Sequence, residues 1–401
     1  MIQLPDYIGP CAFGIKMGVI VPGTDLHRML IDEAARLDAD GLLDNGDVLS
    51  ITESILARAQ NNLITTEETA LEIRKTLGLR PDSTVGVLFP IASRNRFSLI
   101  LESIAKAVPN GTVIVQFSYP DDEVGNQVLP PEIAEELEKR HGSLFTLDEI
   151  GGDYTHPLTG VNYLTLYKEI IEREGAEPKI ILCNDPRQIA GFNPDGVIVA
   201  NIHPREKTRK TLEGIVSNCC TLQEICSSGT CPPTSEWGLL GSNMSSSCRL
   251  KLAPFEAEPF VCLLQEQIQK LTGKEIEILV FGDGAYKDPT SGIYELADPK
   301  AAFGATPGIK EVLREGVKMK YLIDKYHEEG KTSLEIIELI DQESAKKRGI
   351  NCIESEGTTP RRMEDILASL SDLITGSADA GTPLVLIKGV YRPPTVPGEA
   401  E

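Results

Sequence analysis

Two short runs of β-branched and apolar residues, Thr84–Phe89 and Thr112–Phe117, flank a stretch, Phe97–Ala107, whose apolar side chains recur at helical spacing. Two strands joined by a crossover helix normally pair in parallel, so this segment predicts a βαβ unit and, with it, a sheet covered by helices. The same alternation runs along most of the chain and defines an α/β class, a mixed fold in several parts.

The remaining elements follow from period and punctuation. Leu26, Met29, Leu30 and Ala34 share a face of a helix over Asp25–Arg36, with Thr24 as the expected N-cap. A strand at Asp47–Thr52 precedes helices at Glu53–Gln60 and Glu67–Leu77, and Pro130-Pro131 opens a charged helix over Glu132–Arg140. A helix at Tyr163–Arg173 and strands at Lys179–Cys183 and Gly196–Ala200 make a second α/β section. Farther on come a helix at Phe260–Leu271, a strand at Glu275–Phe281, helices around Ile309–His327, Ser333–Lys347 and Arg362–Ile374, and a strand at Pro383–Val390. The organisation expected is an N-terminal α/β domain over 1–130, a central α/β section over 131–216, a Cys-, Ser- and Pro-rich linker over 217–237, a C-terminal α/β domain over 238–391 and a disordered acidic tail over 392–401.

Charge narrows the function. With 39 Lys and Arg against 60 Asp and Glu, the net charge is −21, which argues against nucleic acid as a partner because phosphates need a clustered cationic surface. No run reaches the ~20 apolar residues of a bilayer span, and no basic leader precedes an apolar run at the N-terminus. Nine scattered cysteines suit reduced thiols. The expectation is a cytoplasmic protein.

Four segments carry more Gly, charge and turn chemistry than connection needs. Pro90–Arg96 joins a strand to a helix, so Ser93, Arg94 and Arg96 could bind an anion at the helix start, or be a cap and two solvated arginines. Gly357–Arg362 repeats that logic with Thr358, Thr359, Arg361 and Arg362. Val280–Pro289 places Asp283 between two glycines at a strand exit, with Lys287 and Asp288 following, a carboxylate of the kind that holds Mg²⁺ beside a nucleotide. Ser118–Asn126 contains three consecutive acids, either a cation or amine site or a solvated turn. Cys219, Cys220, Cys226, Cys231 and Cys248 match no zinc-knuckle or ferredoxin spacing, although a Cys-bound metal is a third reading. No Walker A motif, H-E-x-x-H or G-x-G-x-x-G after the first strand occurs.

The motifs resemble those of the γ-glutamyl ligase family of the deazaflavin coenzyme F420. Pro22–Leu26 is similar to its P-G-D-D-L turn, and Asn45–Ala59 to its D-G-D-V strand and following helix. Gly238–Asn243 resembles G-I-D-x-S-N, Gly282-Asp283 the S-D-T metal turn, and Ala302–Gly308 the A-I-G-x-A-G segment. A longer bacterial branch of the family carries S-R-N-R-F-S, S-Y-P-x-D-E-V-G-N, G-L-L-G-S-N, G-D-G-A-[FY]-K-D-P and G-T-T-P-R-R, and all five occur here.

The resemblance implies GTP-dependent (or ATP-dependent) ligation. A substrate carboxylate is phosphorylated, the amine of L-glutamate attacks the acyl phosphate, and an amide forms with release of nucleoside diphosphate and phosphate. It implies Mg²⁺ or Mn²⁺, with a monovalent cation besides, and a homodimer. Carried onto this sequence, Arg94, Arg96, Arg361 and Arg362 are the expected catalytic cations. Ser93, Arg58, Gly357, Thr358, Thr359, Ser242 and Asn243 are the expected nucleotide contacts, and Asp283 and Asp288 the expected metal ligands. The sequence departs from the family at Leu240, where an acid is expected, at Ser54 and at Gly284. Glu236, Asp121 or Asp288 could supply the missing acid, and the acceptor could be an F420-0-like cofactor or another carboxylate such as a folate. Loss of that acid also motivates an alternative, a non-catalytic nucleotide- or anion-binding protein.

Overall fold

The valine- and isoleucine-rich runs become strands because they lack a polar face and must be covered on both sides. The structure, a computed structural model, describes residues 8–284, 286–287, 294–295, 297–314, 316–344, 361–375 and 381–390. One sheet has six strands in the order Phe145–Thr146, Glu177–Leu182, Thr112–Phe117, Thr84–Leu88, Gly196–Val199 and Cys219–Thr221, all parallel except the first. Val85, Val87, Val113, Val115 and Ile198 pack on one side with Phe97, Ile100 and Ile104 of the helix Arg94–Ala107. Ile114, Val197 and Val199 pack on the other with Ile189 and Leu212. Successive strand residues point to opposite faces, so apolar side chains at every position demand both covers.

From Thr84–Leu88 the chain winds outward through Thr112–Phe117 to Glu177–Leu182, then crosses back to add Gly196–Val199 and Cys219–Thr221 on the opposite side. This is a doubly wound sheet. Its direction reverses between Thr84–Leu88 and Gly196–Val199, which leaves a crevice beyond their carboxyl ends.

The second sheet draws on both ends of the chain, in the order Cys11–Ile15, Leu384–Lys388, Val48–Thr52, Glu277–Phe281 and Ala302–Ala305. Leu49, Ile51, Ile278, Val280, Leu384 and Leu386 pack in a core with the helices Leu26–Ala39 and Ala257–Thr272. Val48, Leu279, Phe281, Val385 and Ile387 pack in another with Met363–Thr375. Only Val48–Thr52 and Glu277–Phe281 pair in parallel. A three-stranded antiparallel sheet, Asn243–Ser246, Arg249–Lys251 and Leu63–Thr65, completes this part.

Several expectations change. Asp25, not Thr24, caps the first helix: its carboxylate accepts from Arg28 N–H at 3.0 Å, while the Thr24 hydroxyl donates to the Val21 carbonyl at 2.7 Å. The strands on the two sides of residue 130 share one sheet, so packing does not divide there. The expected linker over 217–237 contributes the edge strand Cys219–Thr221 and a capping box between Thr221 and Glu224. The helix expected from Ile309 begins only at Met319, because Ile309 and Lys310 donate to the Thr306 carbonyl in a turn. The tail 392–401 lies outside the described residues. Among the described residues no helix is long and apolar enough to cross a membrane.

Gly304 shows how closely helix and sheet approach. A Cβ there would stand 2.7 Å from the Ala257 carbonyl carbon at the start of the helix Ala257–Thr272. Gly304→Ala is expected to cost about 1–3 kcal/mol in urea unfolding, as overpacking does; an unchanged midpoint would mean that this helix start can shift.

Candidate functional site

Because Val48–Thr52 and Glu277–Phe281 run parallel, their carboxyl ends open on one edge of the sheet. The first leads straight into the helix Glu53–Ala59 and the second turns at Gly282-Asp283-Gly284. The turn needs glycine: a Cβ on Gly282 would strike the Asp298 carboxylate and come within 2.6 Å of the Phe303 ring. This edge bounds a cavity of about 420 Å³ whose walls include Glu53, Arg58, Arg96, Asn243, Asp283 and Asp372.

Arg96 reaches it from the first turn of Arg94–Ala107, a helix of the other sheet. Its guanidinium pairs with Asp298 at 2.6 Å and with Asp283. Asp298 also accepts from the Asp283 N–H at 2.8 Å, and Asp372 accepts from Gly284 N–H at 2.8 Å. Beside them Lys251 holds both oxygens of Glu53, at 2.6 and 2.5 Å. Asp298 and Lys251 are shielded from water, only 1% and 3% exposed at the side chain, whereas the Asp283 side chain keeps 37% exposure.

Burial dominates the electrostatics. It pushes Asp283 up to about 7, with the Asp298 charge adding to the effect and Arg96 opposing it. Burial likewise raises Glu53 and Asp372 above the ordinary carboxylate range. For Arg96 burial works against the charge, but Asp298 and Asp283 more than offset it and raise its pKa.

Of the residues expected from sequence, the structure brings Arg58, Arg96, Asn243 and Asp283 to one cavity. Ser93 is the N-cap that accepts from Arg96 N–H at 3.2 Å, so its hydroxyl aims the helix. Arg94 is exposed, and Ser242 is buried with its hydroxyl on the Leu239 carbonyl at 2.7 Å. Arg361 and Arg362 are exposed on a strand paired with Leu313–Arg314, and Arg362 lines a separate depression of about 300 Å³. Asp288, Gly357, Thr358 and Thr359 lie outside the described residues.

Glu53, Lys251, Asp298 and Asp372 escape the sequence reading. Glu53 and Lys251 are 198 residues apart and Arg96 and Asp298 are 202 apart, so no local motif signals either pair. Leu240 is buried in an apolar core, and Asp298 brings a carboxylate beside neighbouring Gly241, where a Cβ would meet it at 3.4 Å. Neither Asp121 nor Glu236 lines this cavity.

The acidic run Ser118–Asn126 is largely spent inside the fold. Asp122 is buried and accepts from the N–H groups of Ala92, Val124 and Asn126 at 2.7, 3.0 and 2.8 Å, so it latches the loop that leads into Arg96. Glu123 accepts from the N–H groups of Ile202 and His203. Among the described residues no three His, Cys, Asp or Glu side chains form a ready metal nest, and Cys219, Cys220, Cys226, Cys231 and Cys248 are free. Burial pushes the thiols of Cys219 and Cys226 up to about 11 and 12, away from the thiolate form that binds metal.

A model of the family described as F420-0:Gamma-glutamyl ligase matches residues 14–389 of the chain. No curated protein matches it.

The raised pKa of Asp283 fixes a sign. Between its ordinary value of 3.8 and about 7 the folded state binds the extra proton, so this carboxyl's contribution to stability falls as pH rises through that window. In chelator-containing buffer, wild type should lose stability relative to Asp283→Asn from pH 4 to 7 and run level with it above pH 8; the opposite slope would show Arg96 to outweigh burial. Arg96→Met should cost about 3–5 kcal/mol in denaturant titration, since it leaves Asp298 buried without its partner, and a neutral result would mean that water reaches Asp298.

Proposed function

This chain belongs to the F420-0:gamma-glutamyl ligase family, and on that premise we propose that it joins L-glutamate to the carboxylate of an F420-0-like acceptor, using GTP or ATP. The observation that carries the reading is the cavity at the paired ends of Val48–Thr52 and Glu277–Phe281, where Arg58, Arg96, Asn243 and Asp283 converge. An oxygen of the acceptor carboxylate forms a bond to the γ-phosphorus as the bond from that phosphorus to the β–γ bridging oxygen breaks, and the nucleoside diphosphate leaves with the electron pair. Attack by the glutamate amine then forms the C–N bond, expels phosphate and releases a proton.

Each residue has a task in that sequence. Arg58 is exposed on the cavity rim at the end of the helix Glu53–Ala59, placed to meet phosphate or carboxylate oxygens. Arg96 is held rigid by Asp298 and Asp283, so a positive group in the wall needs no reorganisation as charge develops. Asp372 supplies negative charge for an ammonium group such as that of glutamate, whereas Glu53 is neutralised by Lys251. Asn243 offers a neutral amide in the same wall.

The donor chemistry fits a hard divalent cation. Asp283 and Asp372 present carboxylates to the cavity, and Mg²⁺ is commonly held by one or two carboxylates plus substrate phosphates, not by an all-protein cage. Asp283, with Asp372 and with Asp288 outside the described residues, would hold Mg²⁺ or Mn²⁺, and the ion would neutralise phosphate oxygens during transfer. A monovalent cation and a homodimer are further parts of the proposal, carried by the family. The non-catalytic alternative rested on the acid missing at Leu240; the Asp298 carboxylate beside Gly241 favours the catalytic reading.

Purified protein should release GDP or ADP and phosphate only when F420-0 and L-glutamate are both present with Mg²⁺ or Mn²⁺, and mass spectrometry should find the glutamyl amide. Asp283→Asn should lower kcat/KM about 100-fold, the scale of losing one electrostatic partner of the transition state. Arg58→Ala should raise KM about tenfold with a smaller effect on kcat. No turnover with F420-0, folates or other carboxylate acceptors would overturn the ligase reading.

A further inference from the structure

The cavity that contains Asp283 changes character along the sheet edge that carries it. Register places Ile15 opposite Leu384, Leu384 opposite Ile51 and Thr52 opposite Phe281, so four strand ends share that edge. Glu53 and Asp283 follow Val48–Thr52 and Glu277–Phe281, and Asp372 is tied to the neighbouring Gly284 N–H. On the side of the other two strands, Gly18 and Ile20 follow Cys11–Ile15 and Pro383 precedes Leu384–Lys388, and all three line the cavity. Its carboxylates therefore gather at one end and an apolar wall forms the other.

Beyond the apolar end the chain carries that surface out to water. Met17 and Ile20 are buried in the core, whereas Val19 and Val21 are 86% and 54% exposed. The loop is anchored, since the Val21 N–H donates to the Thr24 hydroxyl at 3.1 Å and the Gly23 N–H to the Ala59 carbonyl at 3.0 Å. Two valines are thus held out of the core on either side of Ile20, at the mouth of a polar cleft. Apolar side chains presented beside such a cleft mark a ligand groove.

Size explains why a rim is needed. A cavity of about 420 Å³ lies in the lower part of the range that pockets for one small molecule span, about 300–1,000 Å³. The ligation brings a nucleotide, an acceptor and glutamate to one place, so an extended acceptor has to leave part of itself outside. We propose that Val19 and Val21 set acceptor specificity by receiving the flat, fused ring of an acceptor whose carboxylate reaches the Asp283 end. The inference rests on the ligase reading and narrows it: carboxylates at the end of a chain that carries such a ring, a deazaflavin or a pterin, are selected over small ones.

The test compares the whole protein with the double variants Val19→Ser/Val21→Ser and Val19→Leu/Val21→Leu, exposed positions where substitution changes stability little. Calorimetry with F420-0, folate, L-lactate and succinate reads binding, and steady-state kinetics reads turnover. F420-0 or folate should bind wild type at least tenfold more tightly than the two ring-free carboxylates. The serine pair should weaken that ligand at least tenfold and raise its KM alike, with KM for L-glutamate and for the nucleotide unchanged, and the leucine pair should restore it. The inference is overturned if neither ringed compound binds at millimolar concentration, if L-lactate or succinate binds as tightly, or if the serine pair leaves binding intact. Ring-dependent binding that the serine pair abolishes, without turnover, would sink the ligase reading and leave the ring surface standing. Turnover of L-lactate or succinate as efficient as that of F420-0 would sink this inference alone.

Discussion

A guanidinium shared between two carboxylates ties the two halves of this protein together. Arg96 belongs to a helix of the doubly wound sheet, whereas Asp283 and Asp298 belong to the loops of the other sheet. Neither Arg96 nor Asp298 is tolerable in that water-poor interior without the other, because an unpaired buried charge costs several kcal/mol. The two sheets therefore share a docking position set by charge as well as by apolar area. The order of construction runs outward from that point. Asp122 latches the loop ahead of the helix, Ser93 caps its first turn, and Gly282 gives Asp298 the room to reach the guanidinium.

That architecture explains how much the sequence could reveal. Period and punctuation are local, and they locate the central strands of both sheets, with Tyr163–Arg173 and Thr112–Phe117 agreeing to the residue, but they miss the edge strands Cys11–Ile15, Phe145–Thr146, Cys219–Thr221 and Ala302–Ala305. The motif around Ser93 and the Gly-Asp-Gly turn is also local, so Arg96 and Asp283 could be singled out, although not as partners of each other. Partnership is a property of topology. Asp298 lies in an ordinary Ala-Asp-Pro turn and Glu53 looks like a solvated first-turn acid; only the sheet order buries them. Arg361 and Arg362 are the converse case. They share the composition of an anion loop, but their strand is tied to Leu313–Arg314 and turns them to solvent.

The two sheets apply one rule in two ways. Each opens a cavity at the carboxyl ends of neighbouring parallel strands, where chain direction frees loops to carry polar groups. At the five-stranded sheet, charge from five distant segments converges there: Glu53, Arg96, Lys251, Asp283 with Asp298, and Asp372. In the six-stranded sheet Glu123 instead caps the N–H groups of Ile202 and His203, which closes the reversal point on itself and leaves Asn201 at its wall. The first cavity is thus organised around ion pairs and the second around hydrogen bonds.

Charge also limits what the first cavity can accept. Among the described residues, Glu53, Asp283, Asp298 and Asp372 face Arg96 and Lys251 as buried counter-charges, with Arg58 at the rim. A polyphosphate brought beside that surplus would be repelled unless positive charge arrived with it, and at low dielectric the repulsion amounts to several kcal/mol. Protonation of Asp283, already pushed up to about 7, removes part of the surplus; a divalent cation removes more and draws the carboxylate and phosphate oxygens to a common centre. Were a nucleotide to enter this cavity, its binding would therefore be coupled to uptake of a proton or a cation, a coupling that follows from the wall's composition alone.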